Sequence, residues 1–107
     1  MNLHVPSEPA ECNSMGDDLH EYDMAYISCY VQYGSDVIPE VNFYDVNNYM
    51  MPIDYERGAN YIYISSNITA MAEDHDVPFE CRVHLDVPSY SDSCITRLDI
   101  KCRNLCR

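Results

Sequence analysis

Residues 77–86 read VPFECRVHLD. Apolar and polar side chains alternate through them. Val77, Phe79, Cys81, Val83 and Leu85 share one side, and Glu80, Arg82, His84 and Asp86 share the other. A period of two marks a strand with one buried face. Because the buried column carries a cysteine, the fold turns on what faces Cys81.

The same alternation recurs along the chain. Residues 24–31 put Ala25, Ile27, Cys29 and Val31 on one side. Residues 39–46 turn Val41 and Phe43 inward and Asn42 and Tyr44 outward. Residues 61–69 turn Ile62, Ile64 and Ile68 inward, leaving Tyr61, Tyr63 and Asn67 outside. In residues 95–102, Leu98 and Ile100 share a face. Turn chemistry separates these runs at residues 34–36, 47–48, 57–60, 73–76 and 88–93. Helical periodicity is nearly absent and no repeat is present. Short strands at this spacing predict an all-β sandwich or barrel.

With 107 residues the chain has room for one core. We expect one domain over residues 1–107: an edge strand and loop over 1–23, the sandwich over 24–102, and a cysteine-bearing tail over 103–107. No signal-peptide pattern opens the sequence, so Met1 reads as an expression start or the front of an excised domain. Six cysteines in so short a chain point to disulfides and an oxidising compartment. Zinc is the rival, but no Cys-x2-Cys pair occurs and the four histidines are scattered. The sequon Asn67-Ile68-Thr69 points the same way as the disulfides, and Asn67 is expected to face solvent and carry a glycan.

Cys29 stands in an inward column 52 residues before Cys81. If their strands lie in facing sheets, the two can bridge across the core. Closing such a loop stabilises the fold by about 4 kcal/mol in the chain-entropy account.

These segments resemble the immunoglobulin superfamily. "ISCYV" is similar to the second strand of that fold, "PEVNFY" to the third, and "EDHDVPFECRVHL" to the acidic turn and sixth strand. The resemblance covers residues 24–102. It implies a two-sheet antiparallel sandwich of seven to eight strands, of constant or intermediate type, with Cys29–Cys81 as the inter-sheet bridge and Phe43 packed on it. Phe43 stands where the family usually has Trp. Phe79 stands where it has the corner Tyr, so that hydroxyl's hydrogen bond is lost and only the packing remains.

Reach constrains the other cysteines. If residues 95–102 form an unbroken strand, Cys94 and Cys102 stand about 26 Å apart, beyond the ~7 Å a disulfide spans. The four residues after Cys102 reach at most about 14 Å, too little to return Cys106 to Cys94. The complete set that remains within the domain is Cys12–Cys94 with Cys102–Cys106; the alternative is that the two tail cysteines bond a neighbouring domain or a second chain.

A net charge of −12 disfavours nucleic acid and anionic membrane as partners. No apolar run nears the ~20 residues of a membrane span. Residues 73–76 could offer carboxylates to a cation, but without a loop-binding register they read as the solvated turn before the sixth strand. Residues 17–21 lack the His-Glu-x-x-His spacing of a zinc hydrolase, and neither a nucleophile elbow nor a phosphate loop is present. We therefore expect neither catalytic residues nor a metal or cofactor.

The basic residues are better placed. Arg82, Arg97 and Lys101 fall outward on the last two strands, beside Asn42, Tyr44 and His84. They predict a mixed face rich in the residue types of interface hot spots. Residues 49–53, YMMPI, form a second apolar candidate, either a buried crossover or an exposed edge. The resemblance implies an extracellular recognition or adhesion domain of a receptor, binding a protein through this face, a second copy included. A structural spacer and a small secreted effector or inhibitor are the alternatives.

Overall fold

The computed structural model describes residues 9–14, 18–34, 37–86 and 89–101. The strands are β1 (Glu11–Ser14), β2 (Leu19–His20), β3 (Met24–Gln32), β4 (Glu40–Tyr44), β5 (Asp54–Arg57), β6 (Tyr61–Thr69), β7 (Phe79–Leu85), β8 (Tyr90–Thr96) and β9 (Ile100–Lys101). A four-stranded sheet runs β1-β3-β6-β5, and a three-stranded sheet runs β4-β7-β8. Both are antiparallel. The short pair β2-β9 is parallel and stands apart from the two antiparallel sheets of the sandwich.

Alternation sets the two inner faces. Ile27, Cys29, Val31, Ile62 and Ile64 from one sheet and Val41, Phe43, Cys81 and Val83 from the other are buried. Register places Phe43 directly opposite Cys81 on β7, so the ring and the sulfur lie side by side in the core. Cys29 and Cys81 are joined across the sheets, with 6.4 Å between their Cα atoms. The expected inter-sheet bridge and the all-β sandwich are both present.

Three readings need correction. The final strand does not run unbroken from residue 95. It begins at Tyr90, and its ladder stops at Thr96 before a short pairing resumes at Ile100. The alternation still continues, since Thr96, Leu98 and Ile100 are buried while Arg97, Asp99 and Lys101 are exposed. Only the hydrogen-bonding partner changes. Leu98 bridges His75, and the Ile100 N–H donates to His75 Nδ1 at 3.1 Å. A single 3₁₀ turn, Ala72–Asp74, therefore docks residues 73–76 on the last strand. Asp76 turns the chain there with φ 61° and donates its N–H to the Leu98 carbonyl.

Residues 1–23 hold more than an edge strand and loop. β1 pairs with β3, and β2 sends Leu19, 1% exposed, under the core opposite Ile100. Finally, β5 follows residues 49–53 and closes the β6 edge, a strand that the alternation did not reveal. All four of its residues are exposed, so no apolar column marks it. Counting β8 and β9 as two halves of one strand gives eight among the described residues.

Candidate protein interface

The outer face of β4-β7-β8 is built by register. Tyr44, Glu80 and Ile95 form one row across it, Asn42, Arg82 and Ser93 the next, and Glu40, His84 and Ser91 the third. Each row points outward because the residues between, such as Phe43, Cys81 and Val83, are spent on the core.

Arg82 is the hub. Its guanidinium carbon lies 4.0 Å over the centre of the Tyr44 ring. Its Nε donates to Glu80 Oε1 at 2.8 Å, and its Nη2 donates to Asn48 Oδ1. Asn48 is delivered by a tight turn after β4. Asp45 Oδ1 accepts the N–H groups of Asn47 and Tyr49, and Asn48 takes φ 70°. Asparagine tolerates that left-handed backbone better than most residues. The planar guanidinium is thus held on one side by a ring and along its edge by two acceptors. Nearby, His84 Nε2 lies 2.7 Å from Asp86 Oδ1.

Apolar side chains flank this polar hub. Ile95 is 55% and Val46 62% exposed, and with Pro78 and Asn48 they line a depression beside Glu80 and Arg82. Residues 49–53 divide. Met51 and Ile53 pack against the core, while Tyr49 and Met50 stay exposed. Met50 bridges Tyr44 in the antiparallel sense. The two candidate surfaces are therefore neighbours, with Met50 extending the Tyr44 row by one position.

The structure thus brings Asn42, Tyr44, Arg82 and His84 onto one sheet face. Arg97 is exposed beyond the end of β8. Lys101 belongs to the β2-β9 pair, its Nζ 3.9 Å from Asp18 Oδ1, and so lies outside the three-stranded sheet. Ile95, Val46 and Asn48 were missed. The outward parity of Ile95 was available from Leu98 and Ile100, whereas the reach of Asn48 to Arg82 depends on how the turn folds back.

Two bridges stand side by side beneath this face, Cys29–Cys81 in the core and Cys12–Cys94, half-buried, packed against it. Cys12 and Cys94 are bonded, with Cα atoms 5.8 Å apart. Register makes Cys12 the neighbour of Cys29 and Cys94 the neighbour of Cys81. Cys29 Sγ and Cys94 Sγ are consequently 3.8 Å apart. All four sulfurs lie within 4.8 Å of one another, and in pairs they are disulfides. Cys102 and Cys106 lie outside the described residues. Phe79 is buried at the start of β7, opposite Thr96.

This is an immunoglobulin-like fold. The chain is similar in structure to the mouse nectin-like molecule 4 full ectodomain (Ig1–Ig3), at TM-score 0.75 and 13% identity over 94% of this chain and 36% of that one. It is also similar to a C. elegans twitchin kinase fragment, an autoregulated protein kinase with immunoglobulin domains. There the TM-score is 0.62 and the identity 12%, over 90% of this chain and 21% of that one. The chain thus spans about a third or less of either. No protein-family model matches the sequence, and no curated protein does. Among the described residues no helix is long and apolar enough to cross a membrane.

Proposed function

We propose that this is an extracellular, non-catalytic recognition domain that binds another protein through the outer face of β4-β7-β8. The observation that carries the reading is the clamped Arg82. Three partners fix it while apolar side chains around it remain uncovered among the described residues. An arginine already held in place loses little side-chain freedom on binding, and Arg and Tyr dominate interface energetics. Two disulfides and a solvent-exposed sequon support a secreted setting. Partners include a second copy of the chain, because Arg82 and Glu80 put both signs of charge on one face. A spacer or a secreted inhibitor acting elsewhere would have no use for the cluster.

The test is bead display of the domain, read as bead–bead adhesion and as binding to a panel of secreted ectodomains. Ile95→Glu and Arg82→Ala should each weaken binding at least about fivefold, a hot-spot loss of ~1 kcal/mol or more. Both variants should keep their thermal midpoint within about 3 °C. Undiminished binding in both, with loss on changing Tyr49 or Met50, would move the interface to the β4 edge.

A further inference from the structure

The opposite face of the sandwich carries a different juxtaposition. Register pairs Tyr26 with Asn67 and Met24 with Thr69 across β3 and β6. The acceptor asparagine and the threonine of the sequon therefore each stand directly beside a large apolar side chain on the next strand. All four are exposed, and Ala25, between Met24 and Tyr26 on β3, is buried. Thr69 Oγ1 reaches to 3.5 Å from Met24 Sδ. Met24 is 62% and Tyr26 46% exposed, and Tyr22, at the same end of the sheet, is 59% exposed. Nothing among the described residues covers this cluster. Met24 and Tyr26, two residues apart on one face of β3, form an exposed apolar patch with room for an occupant.

We propose that the occupant is an N-linked glycan on Asn67, whose first sugars lie over Tyr26 and Met24. The bond formed joins the Asn67 side-chain amide nitrogen to the anomeric carbon of a lipid-pyrophosphate-linked oligosaccharide. The sugar–phosphate bond breaks, the pyrophosphate leaves with its electron pair, and one amide proton passes to a base of the transferase. Directly opposed residues in a sheet have Cβ atoms about 5 Å apart, so the first sugar starts beside the phenol ring. Pyranose C–H bonds are weakly positive and suit the negative face of an aromatic ring. A covalent attachment point within the patch favours sugar over protein as its cover, and its bulk keeps protein partners off this face. The inference rests on the secretory setting of the proposed function and leaves the face around Arg82 free.

The protein is made in a secretory eukaryotic host as wild type, Asn67→Gln, Tyr26→Ala and Tyr26→Phe. Intact mass should show a glycan that peptide-N-glycosidase removes and that Asn67→Gln lacks. Its removal from wild type should lower Tm by about 4 °C and raise binding of an apolar dye severalfold. Tyr26→Phe should keep that difference and Tyr26→Ala should lose most of it. In the glycosylated protein, proton–proton Overhauser contacts should join the first sugar to the Tyr26 ring. A secreted, folded wild type without sugar at Asn67 overturns the proposal. So does a glycan whose removal changes neither Tm nor dye binding. Bead adhesion separates the two readings: loss of binding in Ile95→Glu, with Asn67 bare in wild type, refutes the glycan and keeps the recognition face.

Discussion

Removing the Cys12–Cys94 bridge measures how two disulfides share one core. Taken alone, its separation of 82 residues corresponds to about 4.5 kcal/mol of chain entropy, against about 4.1 kcal/mol for the 52 of Cys29–Cys81. The two are nested, however. With Cys29–Cys81 closed, the unfolded chain joins Cys12 to Cys94 through 17 residues up to Cys29 and 13 beyond Cys81. A loop of about 30 residues gives ~3.6 kcal/mol. At about 2.1 cal/mol/K per residue, the unfolding entropy of 107 residues is ~0.22 kcal/mol/K. Cys12→Ala/Cys94→Ala should therefore lower Tm by about 16 °C. Both residues are only half-buried, so lost packing adds little. Thermal unfolding by circular dichroism, with thiol titration confirming that Cys29–Cys81 stays closed, checks the value. A fall under about 5 °C would refute the chain-entropy reasoning and mean that the unfolded chain keeps these segments together without the bridge.

Phe43→Ala should cost about 3–5 kcal/mol in urea unfolding, because the ring is fully buried beside Cys81; a loss under ~1.5 kcal/mol would place its packing elsewhere. Tyr61 should titrate above the ordinary phenol range, chiefly because its hydroxyl donates to Glu56 at 2.6 Å and then because that carboxylate is negative. A raised folded pKa means the contact holds below the ordinary phenol value and is lost as pH climbs through the raised one. Absorbance titration near 295 nm should show Glu56→Gln bringing this phenol back down, and identical curves would deny the pairing.

Period-two alternation was enough to place β3, β4, β6 and β7 and to choose which side of each is buried, because one wrong parity would expose a whole apolar column. It put Cys29, Phe43 and Cys81 inward, and Tyr44, Arg82 and Asn67 outward. It could not reveal β5, whose residues DYER are exposed on both sides. Nor could it show that the last strand changes partners at Arg97, since side-chain parity runs on while hydrogen bonding does not. That break is why Lys101 leaves the face to which alternation assigned it. The clamp on Arg82 and the contact of two disulfides likewise needed tertiary structure. Parity along a strand fixes which side a residue takes, but the register between strands distant in sequence decides which residues stand together.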